Sequence, residues 1–120
     1  MPVEDAAVLF EKWKSQFRKG YLELCVLALI NSRGRAYGLD MMERLSAAGV
    51  EMSEGTLYPL LMRMTREGSL VASWETPDIG HPRKYYCLSA QGVQSLVLMR
   101  AEFMKTMRAM ESFVHGGTGS

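Results

Sequence analysis

Ser53-Glu54-Gly55-Thr56-Leu57-Tyr58-Pro59-Leu60-Leu61-Met62-Arg63-Met64-Thr65-Arg66-Glu67-Gly68 is the stretch on which the fold turns. Ser53 is a suitable N-cap, Glu54 sets a negative charge at the positive end of the helix dipole, and Gly68 is a suitable terminator. Between these signals Leu57, Leu60, Leu61 and Met64 recur at three-and-four spacing, with Gly68 continuing the row. That face must be buried. The opposite face carries Gly55, Pro59, Met62 and Arg66, flanked by Thr56, Tyr58 and Arg63. Pro59 removes one backbone hydrogen bond, and its ring presses on the carbonyl four residues back, which belongs to Gly55. A glycine there can yield, so a bent or locally opened first turn is expected, with a small outward surface close to whatever it touches. This surface is read as docking on DNA; a plain surface helix with an odd proline is the alternative.

Working towards the N-terminus, Tyr37 to Ala48 has the spacing of a helix, with Leu39, Met42 and Leu45 marking its buried side and Gly49 ending it. Two helices joined so tightly form a helix-turn-helix arrangement. The link before them, Ser32-Arg33-Gly34-Arg35, is a solvated loop or a contact with the phosphate backbone. Tyr21 to Asn31 carries a broad apolar stripe, Leu22, Cys25, Val26, Leu29 and Ile30, and is expected at the centre of the core. Gly20 separates it from an amphipathic first helix over Asp5 to Lys19. There Leu9, Trp13 and Phe17 share a face so aromatic that another helix must cover it, from the same chain or a second subunit.

Working towards the C-terminus, the periodicity changes after Gly68. Leu70, Ala72 and Trp74 alternate with Ser69, Val71, Ser73 and Glu75, and Tyr86 and Leu88 with Tyr85 and Cys87. Two strands are indicated. Thr76 to Pro82 between them is rich in turn formers, giving a hairpin. Arg83 and Lys84 at its re-entry either touch phosphates or discourage strand pairing at an exposed edge. Ser89 caps a final helix from Ala90 to Val114, in which Val93, Leu96, Phe103, Met107, Met110 and Val114 form a seam widened by Met99 and Met104. So long an amphipathic helix cannot bury its face on a small body, and pairing with a symmetry mate is expected. The Gly-rich end, 116–120, is expected to be disordered.

A chain of 120 residues with 48% hydrophobic content suits one domain with a modest core. The formal charge of +1 gives no global basic signal, so nucleic-acid binding must rest on a local patch. Cys25 and Cys87 show no metal-ligand spacing and are expected as reduced, buried thiols. The longest apolar run, Leu24 to Ile30, is far too short to span a bilayer, and the N-terminus has no signal-peptide core, so a soluble cytoplasmic protein is expected. His81 and His115 have no acidic or cysteine constellation in the sequence around them; an enzyme is not expected, nor a cofactor.

Gly55 to Met64, Glu67-Gly68, Pro82-Arg83-Lys84-Tyr85-Tyr86 and Leu88-Ser89-Ala90-Gln91-Gly92, together with Tyr37-Gly38 and the Leu24-to-Ile30 run, resemble the PadR family of bacterial and archaeal transcriptional regulators. The resemblance runs from about Arg18 to the end of the last helix. It implies a mainly α fold with a β-hairpin, that is, a winged helix-turn-helix over 20–88. The N-terminal helix over 1–19 and the C-terminal helix over 89–115 would then make a homodimer. It further implies binding to double-stranded DNA, repression of a nearby operon, and often a response to a small apolar or aromatic effector. By position it sets Thr56, Tyr58, Pro59 and Arg63 in or beside the major groove and Arg83 and Lys84 on the wing. With the outward face of the helix, the DNA-binding candidates are Ser53, Gly55, Thr56, Tyr58, Pro59, Met62, Arg63, Arg66, Arg83 and Lys84. The dimer-interface candidates are Leu9, Trp13, Phe17, Leu96, Phe103, Met107 and Met110. Ser89 stands where threonine is common, and the final helix lacks the tryptophan that some members use to stack a drug. The competing reading is a winged-helix module that binds proteins and not DNA.

Overall fold

The computed structural model describes residues 3–115. The elements in chain order are α1 (Ala6–Arg33), β1 (Ala36–Tyr37), α2 (Gly38–Ala47), α3 (Glu54–Arg66), β2 (Leu70–Glu75), β3 (Arg83–Leu88) and α4 (Ala90–Val114). The chain is mainly helical with a β-hairpin, as the patterning requires, and β1 widens the hairpin into an antiparallel sheet of order β1-β3-β2. The expected disorder of 116–120 lies outside the described residues.

Asp5 caps α1 by accepting a hydrogen bond from the Val8 amide at 3.0 Å, and the helix then runs without interruption through Gly20. The break expected there is absent. One interior glycine costs about 1 kcal/mol against alanine, whereas each fully buried leucine or valine contributes about 1.5–3 kcal/mol. Leu22, Val26, Leu27 and Ile30 are all buried on this helix, so packing outweighs the glycine. Ser32 and Arg33, expected in a loop, belong to the same helix. β1 was not foreseen: Ala36 pairs with Tyr86 and Tyr37 with Tyr85, and a two-residue strand is too short to show alternation.

On α2 the buried residues are Gly38, Met41 and Leu45, while Leu39, expected inside, is 52% exposed. A row stepping by threes drifts around the helix, and at 3.6 residues per turn Leu39 lies about 160° from Met41. Gly49, at φ 95°, ends this helix and sets up the turn. The Val50 amide donates to the Leu45 carbonyl at 2.8 Å and the Gly49 amide to the Ser46 carbonyl at 3.0 Å, satisfying carbonyls that the helix leaves open.

Leu57, Leu61 and Met64 of α3 are fully buried and Leu60 partly so, as expected. The helix is continuous across Pro59. Ser53 has the extended backbone of an N-cap, but its hydroxyl accepts nothing from the helix; it donates to Thr56 Oγ1 at 3.2 Å. β2 and β3 pair from Leu70↔Leu88 to Glu75↔Arg83. Leu70 is buried at the root of this hairpin, while Trp74, in the same alternating row, is 68% exposed because the hairpin projects beyond the core.

The start of α4 is locked to the end of α3. Ser89 accepts from the Gly92 amide at 3.0 Å and donates to the Gly68 carbonyl, while its own amide donates to the Ser69 carbonyl at 3.0 Å. A Cβ on Gly92 would lie 2.1 Å from the Ser69 carbonyl oxygen, so the crossing needs a residue without one. Leu96, expected at a seam between two copies, is 2% exposed and belongs to this chain's own core. That core joins Val26, Leu27 and Ile30 of α1 to Met41, Leu57, Leu61, Met64, Leu70 and Tyr86. From Ala101 onward α4 leaves the body and all its described residues are exposed. The radius of gyration is accordingly 17.6 Å, against about 14 Å for a compact domain of this length.

Candidate nucleic-acid interface

α3 and the hairpin stand on the same side of the molecule and enclose a groove of about 620 Å³. Tyr58 and Met62 of α3 form one wall, Trp74, Arg83 and Lys84 of the hairpin the other, and Tyr37, Leu39 and His81 complete it. Among the described residues no carboxylate lines it. Two positively charged side chains on an apolar, aromatic floor suit a polyanion with flat apolar parts.

Tyr58 is set by its neighbour on α2. A Cβ on Gly38 would lie 2.5 Å from Tyr58 Cε1 and 2.7 Å from its hydroxyl oxygen, so the ring lies directly over the start of α2. The hairpin cations are held by rings. The Arg83 guanidinium sits 4.7 Å from the centre of Tyr37, and Lys84 Nζ lies 5.9 Å from Trp74 and 5.6 Å from Tyr86. A hydrogen bond to Tyr85 raises the Arg83 pKa above its usual value, with the Tyr37 field adding to it. Arg35 stacks 4.0 Å over Tyr85 and pairs with Glu75, a hydrogen bond that raises its pKa likewise. Both therefore stay charged at any working pH.

The remaining candidates divide. Gly55, Pro59 and Arg66 are exposed, and Arg66 makes no ion pair among the described residues. Ser53 and Thr56 line a separate, smaller depression of about 400 Å³ with Arg18 of α1. Arg63 turns away from the groove. It binds Glu67 at 2.7 Å and Glu23 of α1 at 3.3 Å, and these hydrogen bonds, Glu67 first, raise its pKa. Leu39, Trp74, Tyr37 and Arg18 were missed as site residues. Spacing places Leu39 inward, the alternation of β2 does not say which row faces α3, Tyr37 sits in a strand too short to show a period, and nothing in the sequence around Arg18 points to the start of α3.

On another face, α1 and α4 flank an open apolar cleft of about 530 Å³ lined by Trp13, Phe17, Tyr21, Phe103, Met107 and Met110, with Glu23 and Glu102 at its polar points. Trp13 stacks on Phe17 with centroids 5.2 Å apart, and Phe17 meets Tyr21 edge-on at 4.9 Å. Leu9 is exposed farther out on α1. Cys25 and Cys87 are free and half-buried, and burial pushes the Cys25 thiol up. Among the described residues no group of His, Cys, Asp and Glu could hold a metal ion, and no helix is long and apolar enough to cross a membrane.

Comparison with known structures gives the same architecture. A PadR-like transcription factor from Bacteroides fragilis is 35% identical, with a TM-score of 0.71 over 85% of this chain and 98% of that one. A PadR family transcriptional regulator from Eggerthella lenta is 26% identical, with a TM-score of 0.79 over 90% and 94%. A PadR-like transcriptional regulator from Bacillus cereus is 30% identical, with a TM-score of 0.74 over 82% and 96%. Comparison with curated proteins found no match. The profile of the transcriptional regulator PadR-like family covers residues 26–97, from the core of α1 through the helix-turn-helix and hairpin to the first turns of α4. The chain is a winged helix-turn-helix protein and belongs to the PadR-like family of transcriptional regulators.

Proposed function

We propose that this regulator is a homodimeric repressor that binds a pseudo-palindromic operator in double-stranded DNA. α3 enters the major groove and the hairpin follows the adjacent backbone. The observation that carries this reading is the groove shared by Tyr58, Met62, Arg83 and Lys84, free of carboxylates in its lining. In this reading Thr56, Pro59, Gly55 and Ser53 lie against the duplex at the start of α3, and Arg66 and Arg63 reach phosphates from its far end.

The dimer is argued from the second face. Trp13 and Phe17 on α1 and Phe103, Met107 and Met110 on α4 are exposed together, an apolar area larger than scattered surface side chains account for. A second copy covering both elements sets two α3 helices roughly 34 Å apart, one helical turn of DNA. A small apolar or aromatic effector fits what remains of this cleft and acts by tilting the α4 pair, changing that spacing. The protein works where the DNA is, in the cytoplasm.

The test is retardation of a duplex carrying an inverted repeat, sought first upstream of the protein's own coding region. Selective retardation at two protomers per duplex supports the reading. Absence of retardation by any duplex, with partner capture through the hairpin, would replace it with a protein-interaction module.

A further inference from the structure

The first turns of α3 are unusually poor in groups that read bases by hydrogen bonding. From Glu54 to Met62 there is no Arg, Lys, Asn or Gln. Gly55 and Pro59 offer no side-chain donor, and of the two hydroxyls there, that of Thr56 accepts from Ser53 and keeps one proton to donate, while that of Tyr58 lies against Gly38. Arg63 is tied to Glu67 and Glu23. What this face presents to solvent is Met62, 60% exposed, continuous with Leu39 and Tyr58 along the apolar wall of the groove. In helix-turn-helix proteins the N-terminal part of the second helix meets base edges. Those edges offer hydrogen-bonding groups at every base pair, and an apolar group, the 5-methyl, only at thymine.

We propose that α3 reads its half-site through thymine 5-methyl groups, with Met62 as the specificity-determining side chain. This rests on the DNA-binding reading above and names what that site selects. The unbranched thioether fills the space between methyl groups without needing a fixed donor geometry. The cations on the opposite wall, Arg83 and Lys84, hold the backbone and set no sequence. Arg66, at the last turn of α3, is left for phosphate.

The experiment begins with a random duplex pool enriched on the full-length protein. Each thymine of the enriched half-site is then replaced in turn by deoxyuridine, which removes the methyl and keeps the pairing. One or two positions per half-site are expected to lose about fourfold in affinity, the burial of one methyl group, with the others unchanged. Met62→Gln, at a position with no core contact to lose, should melt as the parent does and bind the thymine and uracil duplexes equally. Neutral uracil replacement at every position of a selectively bound duplex would overturn the proposal. So would an undiminished uracil penalty in Met62→Gln. Failure to enrich any duplex would overturn the DNA-binding reading itself, and this one with it.

Discussion

Gly38 and Tyr58 illustrate how one missing methyl group positions a ring in the groove wall. The atoms that a Cβ on Gly38 would strike belong to the far end of a flexible side chain, so Gly38→Ala displaces the phenol without breaking the core. Duplex binding is expected to weaken by roughly 1–3 kcal/mol, with little change in the melting curve; a variant that binds normally would mean that Tyr58 has no part in the contact. Lys84→Ala should weaken binding to all duplexes by a similar factor and lower the salt slope by about one. The sequence made the outward row of Met62, Pro59 and Gly55 legible, because helical period alone fixes it. It could not show where Arg63 goes, since Glu23 lies 40 residues away in the chain. A partly exposed pair of this kind contributes at most about 1 kcal/mol, little enough to open against a phosphate. Arg63→Ala is therefore expected to weaken retardation uniformly across sequences, and a loss confined to the operator would make it a base reader.

At the scale of elements, α3, the hairpin and α4 were legible because each holds one period over several residues, with Gly68 and Ser89 as punctuation. α1 and β1 were not. A glycine is a local signal, and tertiary burial of Leu22 to Ile30 overrode it; a two-residue strand carries no period at all. The two glycines involved respond to the same substitution in opposite directions. Gly92→Ala drives a Cβ into the Ser69 backbone and should cost about 1–3 kcal/mol, seen as a lower thermal midpoint. Gly20 has nothing within 4 Å of such an atom, so Gly20→Ala should add up to about 1 kcal/mol of helix stability. A loss there instead would mean that another chain's backbone lies against α1.

At the scale of the whole molecule, the two proposed faces are carried by separate parts of the fold: one on α3 and the hairpin, the other on the ends of α1 and α4 that extend beyond the core. Amphipathic patterning singled out the exposed rows of both faces in the sequence, but it assigned Leu96 to a seam when it belongs to this chain's own core, the two being indistinguishable by spacing alone. Light scattering at micromolar concentration is expected to give about twice the monomer mass of 13.5 kDa; a persistent monomer would leave the aromatic face of α1 unexplained. The chain's two tryptophans fall one on each face, Trp13 in the α1–α4 cleft and Trp74 in the hairpin wall of the groove. Its intrinsic fluorescence is thus a two-channel spectrum. With Trp74→Phe, the remaining emission is expected to follow the proposed dimer and effector contacts, and with Trp13→Phe the proposed DNA contact. A ligand that shifts the second emission without touching the first would have to act at the groove by competing with the duplex.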